Sequence, residues 1–92
     1  MLSPEAEKEV EQILRDVSNF TGFWTSAVSL WQDLNEKFDL IAYMPTIGKR
    51  RDNERFETFC RNYRIIYRLY GDDVYILTVI HSSRLYPRLE NS

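Results

Sequence analysis

Apolar residues at Ala6, Val10, Ile13, Leu14 and Val17 recur at the three- and four-residue spacing of one helix face, with Glu7, Lys8, Glu11, Gln12 and Arg15 outside it. Ser3-Pro4 marks the start: a capping hydroxyl, then the residue best tolerated at the first helical position, with Glu5 and Glu7 near the positive end of the macrodipole. Ser18 and Asn19 end the run, and Asn19, Thr21 and Gly22 predict a short turn. A second helical stripe follows through Phe23, Trp24, Ala27, Val28, Trp31, Leu34, Phe38, Ile41 and Ala42, which places both tryptophans in the core. Met44-Pro45 stops that helix, and Pro45 to Glu54, with Gly48 and the basic run Lys49-Arg50-Arg51, is expected to be a loop.

Beyond the loop the period changes from helical to alternating. Arg55 to Cys60, Tyr63 to Tyr70 and Asp73 to His81 read as three strands of an antiparallel meander. Gly71-Asp72 suits a two-residue type II′ turn, because the glycine supplies the left-handed first position. That loop predicts a register: Tyr70 opposite Asp73, Arg68 opposite Tyr75, Ile66 opposite Leu77 and Arg64 opposite Val79, with His81 diagonal to Arg64. Tyr63, Ile65, Tyr67, Leu69, Val74, Ile76, Thr78 and Ile80 then share the core face. Arg64, Arg68, Tyr75 and His81 look outward. A three-residue loop would slip the second strand by one position. The tail from Arg84 to Ser92 is expected to end irregularly.

The predicted fold is therefore α+β, a helical hairpin packed on one face of an antiparallel sheet of three or four strands, forming a single domain over residues 1–92. Composition adds exclusions. No apolar run approaches the ~18 residues of a membrane span, and the acidic N-terminus lacks the positive start of a signal peptide, so the expectation is a cytoplasmic protein. The single cysteine, Cys60, has no internal disulfide partner and reads as a small strand residue. One Cys and one His are too few for a zinc site, so neither a metal nor a cofactor is expected.

Charge sorts along the chain. Residues 1–44 carry three Lys or Arg against eight Asp or Glu, and residues 45–92 carry nine against six, so the halves stand at −5 and +3. The second half is expected to meet an anionic partner. The weak total charge speaks against strong non-specific nucleic-acid binding. Other readings stay open at single positions: Arg64 and Arg68 also fit the solvated side of a half-covered sheet, His81 fits a hydrogen-bonded strand end, and Tyr75 fits packing against Arg68.

The element order, with SPEAE opening the first helix, MPTIGKR between helix and sheet, and YRIIYR followed by a strand ending in HSSR, resembles the RelE/ParE superfamily of toxin–antitoxin toxins over nearly the whole chain. The family's usual first strand is truncated or absent, because only Met1 and Leu2 precede Ser3. A sheet edge left open in this way invites pairing with another chain.

The resemblance implies one of two activities. RelE-like members are ribosome-dependent mRNA endoribonucleases, and that branch would use Arg64, His81, Arg84 and Tyr86 as catalytic groups acting on the 2′-hydroxyl and the phosphate. ParE-like members poison DNA gyrase. The segment from Phe56 to Phe59 lacks the basic residues of the nuclease pattern, and HSSRLYP is similar to the ParE branch, which is therefore favoured. The resemblance further implies a cognate antitoxin and a hetero-oligomeric complex with it, and charge and position make Lys49, Arg50, Arg51, Arg64, Arg68, Tyr75 and Arg84 the expected partner-binding residues. A member that binds its antitoxin without toxicity is the third possibility.

Overall fold

Ser3 belongs to two structures at once. In the computed structural model, which describes residues 1–84, its side chain accepts the Ala6 N–H at 3.0 Å and caps α1, Pro4–Thr21. Its own N–H donates to the Ile76 carbonyl at 2.9 Å. The cap is thus tied to the sheet, which consists of β1, Lys49–Arg50, β2, Arg55–Cys60, β3, Tyr63–Tyr70, and β4, Asp73–His81, in the antiparallel order β1-β2-β3-β4. Met1 and Leu2 run alongside β4 where a first strand was expected. Leu2 forms a lone parallel bridge to Ile76, and the Met1 amino group donates to the Val74 carbonyl at 3.0 Å. Two residues therefore cover part of the β4 edge.

The first helix runs to Thr21, a turn's length beyond the expected stop at Ser18-Asn19. Gly22 ends it, because its left-handed φ of 75° lets its N–H return to the Ser18 carbonyl. The second helix, α2, spans Trp24–Tyr43, and its buried positions are Ala27, Leu30, Leu34 and Ile41. Both tryptophans depart from the expected core placement. Trp24 is 72% exposed because it lies one turn ahead of Ala27 at the hairpin tip, near the likewise exposed Phe20 and Phe23 in sequence. Trp31, at 38%, sits on the rim, where it lines a groove with Leu2, Val10 and Leu14.

The segment from Pro45 is not a simple loop. Pro45–Ile47 makes a 3₁₀ turn, and Lys49 and Arg50 pair with Glu57 and Phe56 as a short edge strand. The helix-side core joins Val10, Leu30, Leu34 and Ile41 to Phe56, Ile65, Tyr67, Val74, Ile76 and Val79.

The predicted turn is present. Gly71 has φ 59° while Asp72 stays out of the left-handed region, as type II′ requires. Tyr70 faces Asp73 and Arg68 faces Tyr75, as expected. Past Tyr67 the register shifts: Tyr67 faces Ile76, but Ile66 faces Thr78, so Leu77 is an extra residue in β4. Ile66 is consequently not opposite Leu77, and Arg64 lies opposite Ile80 rather than Val79.

One inserted residue inverts the alternation beyond it. Val79 joins the helix-side core, Ile80 turns to the face of Arg64, Thr78 moves to the row of Ile66, and His81 pairs with Tyr63 on the helix side, against the expected outward placement. The first helix holds this irregularity in place. Ser3 Oγ donates to the Leu77 carbonyl at 3.1 Å, and the Glu9 carboxylate accepts the Thr78 hydroxyl at 2.7 Å and the Val79 N–H at 3.0 Å.

Glu9→Ala would leave a buried hydroxyl and an edge N–H without their acceptor, a loss of about 1–3 kcal/mol. Urea denaturation is expected to show that loss in full for Glu9→Ala and a smaller one for Glu9→Gln, whose amide oxygen still accepts. Equal stability of all three proteins would mean that the carboxylate does not secure the bulge.

Candidate functional site

The sheet face away from the helices carries most of the candidate residues. Register assembles it in rows, since residues directly opposite one another in a ladder share a face. Arg55, Arg68 and Tyr75 form one row, Lys49, Glu57 and Ile66 the next, and Phe59, Arg64 and Ile80 the third. Ile66 and Ile80 are buried although they lie outside the helix-side cluster. They form the apolar floor between longer polar side chains.

Acids interleave with the cations. Glu57, only 12% exposed, binds Arg51 on one side and Arg64 on the other, the latter at 3.4 Å. Arg64 also donates to the Ser82 carbonyl at 3.1 Å and lies over the Phe59 ring at 5.5 Å. Arg68 pairs with Glu54 and lies over Tyr70 at 4.4 Å, and Tyr70 meets Tyr75 edge to face. Arg55 pairs with Asp52 at 3.3 Å. The expected cationic face is therefore largely neutralised from within. Glu57 escaped notice in the sequence, although its alternation with the buried Phe56 and Cys60 was the signal that could have found it.

The basic run divides by alternation. Lys49 and Arg51 serve the open face, whereas Arg50 turns to the helix side and lies over the Phe56 ring at 5.5 Å. Lys49, Arg51, Arg64, Arg68 and Tyr75 are thus brought together. His81 and Arg84 are not with them. Those two line a separate cleft of about 290 Å³ with Glu9, Gln12, Asp16 and Tyr63, on the α1 side. The His81 ring meets Tyr63 edge to face and its Nδ1 is 2.7 Å from Ser83 Oγ. Tyr86 lies outside the described residues. Among the described residues no cluster of His, Cys, Asp or Glu is arranged to hold a metal ion.

Tyr67 anchors the edge strand to this scaffold. Its hydroxyl donates to the Pro45 carbonyl at 2.6 Å and accepts the Gly48 N–H at 3.0 Å. Burial pushes its phenol above the ordinary value, against the opposing pull of the Gly48 N–H, and burial followed by the nearby Asp16 charge does the same to Tyr63. The unfolded chain releases these protons first. The stability they contribute is complete below about pH 10 and is lost as pH rises from there through the raised folded values. The urea midpoint is expected to fall between pH 8 and pH 10.5, and to fall less in Tyr67→Phe. An equal fall in both proteins would remove Tyr67 from the alkaline transition.

The elements and the face define a class: a two-helix, four-strand α+β domain that offers an acid-laced arginine surface on the uncovered side of its sheet. A solved structure described as the chromosomal ParDE TA system from P. aeruginosa has this fold, with a TM-score of 0.75, 14% identity, and coverage of 87% of this chain and 90% of that one. The family model for the ParE toxin of type II toxin–antitoxin systems, parDE, matches residues 1–86, and the chain belongs to that family. Membership implies a cognate antitoxin as partner. No curated protein matches the sequence significantly. No described helix is long and apolar enough to cross a membrane.

Proposed function

We propose that this chain is the toxin of a type II pair, that it acts in the cytoplasm by inhibiting DNA gyrase, and that an antitoxin neutralises it as a hetero-oligomer by lying across the open sheet face and the helical hairpin. Such a pair stabilises the replicon, plasmid or chromosome, that encodes it. The observation that carries this reading is the family match over residues 1–86. The bulge in β4 adds support. Cleavage through a 2′-hydroxyl needs its acid, base and phosphate-binding cations gathered on one substrate, and here Arg64 lies on the open face while His81 and Arg84 line the cleft on the α1 side, so the set the nuclease would use is divided. Arg51, Arg64 and Arg68 share the open face, each paired with an internal carboxylate, and in this reading they meet the antitoxin.

The test pairs two assays on the purified chain. Gyrase supercoiling is expected to be inhibited in proportion to toxin and restored by the acidic product of the adjacent gene, while translated mRNA stays intact by primer extension. Codon-phased cuts with unaffected supercoiling would transfer the protein to the RelE-like nucleases. His81→Ala and Arg84→Ala would then abolish the cuts. Induced expression without any growth defect would leave only an antitoxin-binding member.

A further inference from the structure

The register places Arg55 directly opposite Arg68 on the open face. Like charges facing each other across a ladder are destabilising, and residues 52–55 compensate by supplying one carboxylate to each guanidinium. The two carboxylates are held very differently. Asp52 Oδ1 accepts the backbone N–H groups of Glu54 and Arg55 at 2.9 and 2.8 Å, and the Glu54 hydrogen bond is the first cause of its lowered pKa. It is part of the turn. Glu54 has a side chain 57% exposed, and among the described residues its carboxylate has Arg68 alone as partner.

Arg68 is the more enclosed partner, its side chain 33% exposed. It stacks over Tyr70, and its buried Nε–H has no acceptor among the described residues. A guanidinium stacked on a ring and paired with a solvent-facing counter-ion is a site suited to exchange of that counter-ion. A cleft of about 310 Å³ lined by Asp52, Asn53, Glu54, Arg55 and Arg68 opens at this point. Glu57 differs, because it is nearly buried and shared by two arginines.

We propose that this cleft receives a carboxylate side chain from an acidic polypeptide segment, and that Glu54 is a resident internal carboxylate which the incoming one displaces from Arg68. The assignment rests on the reading of an antitoxin as partner. The exchange substitutes one monoanion for another, so the balance against Arg55, Arg68 and Asp52 is preserved. A phosphate backbone would have to pass Asp52 and Glu57 as well, and nucleic acids need a continuous basic track. The arrangement makes the toxin its own weak competitor, and Glu54 sets how readily this subsite opens.

The experiment is a double-mutant cycle on the full chain, read by fluorescence anisotropy with a labelled octaglutamate peptide at low ionic strength. Glu54→Gln is expected to bind the peptide about fivefold tighter than wild type, the upper range for an exposed ion pair. Arg68→Gln is expected to bind it several-fold more weakly, about as weakly as the double variant. Glu36→Gln, which removes an exposed acid on α2, controls for net charge and is expected to leave binding unchanged. The proposal is overturned if Glu54→Gln gains no more than Glu36→Gln, if its gain persists without Arg68, or if an eight-residue oligouridylate competes better than unlabelled octaglutamate. Because the probe is not the antitoxin, failure of the toxin assays leaves this cycle interpretable, and a flat cycle beside intact neutralisation sinks the exchange alone.

Discussion

Gly48→Ala is expected to destabilise the protein by about 1–3 kcal/mol, the range for forcing extra volume into a closed site. Backbone freedom is not the reason, since Gly48 has an ordinary φ of −74°. Space is. A Cβ built there would lie 2.5 Å from the Tyr67 hydroxyl and 2.9 Å from the Glu57 carbonyl oxygen, so either the edge strand or the tyrosine must move. Movement of the strand carries Lys49 and Arg51 away from Glu57, and movement of the ring gives up the hydrogen bonds to Pro45 and Gly48. Both outcomes disturb the open sheet face along with the fold. Urea denaturation measures the loss, and combination with Tyr67→Phe is expected to cost less than the sum of the single variants, because both act on one contact. Wild-type stability in Gly48→Ala would show that the approach is looser than described.

Leu34→Ala is expected to have the larger effect on stability, a loss of about 2–5 kcal/mol. Leu34 is fully buried and belongs to the cluster where α2 meets Val10 of α1 and the inner sheet residues Ile65 and Tyr67. Truncation removes apolar surface from the middle of that layer, and the regular helix and sheet on either side leave little freedom to close the cavity. A chain of this length has a total stability of about 5–14 kcal/mol, so a substantial fraction disappears with one side chain. Leu34→Met, which nearly conserves volume, is expected to cost under about 1.5 kcal/mol. The contrast between the two variants, read by thermal and urea unfolding, separates cavity formation from general intolerance at this position. A Leu34→Ala protein within ~1 kcal/mol of wild type would contradict the packing described.

How far the site was legible differs from row to row. Arg68 and Tyr75 were placed correctly because they lie between the Gly71 turn and the bulge, where alternation is unbroken. Arg64 kept its side because its spacing from Arg68 lies within one regular strand. His81 did not, since an inserted residue stood between it and the turn. The tryptophans misled for a different reason: a helical stripe gives direction around an axis, but it does not say how far along that axis the sheet extends. Trp24 points along the stripe and overhangs the end.

The chain's own order of residues determined the capped first helix, the change of period at Arg55, the Gly71-Asp72 turn and three of the four strands, all set by contacts between near neighbours. Tertiary structure decided the bulge at Leu77, the pairing of Lys49 and Arg50 with β2, and the neutralisation of Arg51 and Arg64 by Glu57. Each of these joins groups that are distant in sequence: Ser3 and Glu9 reach across the molecule to hold β4. Local propensity has no knowledge of a carboxylate some seventy residues away, and it was that carboxylate which held the inversion separating His81 from Arg64.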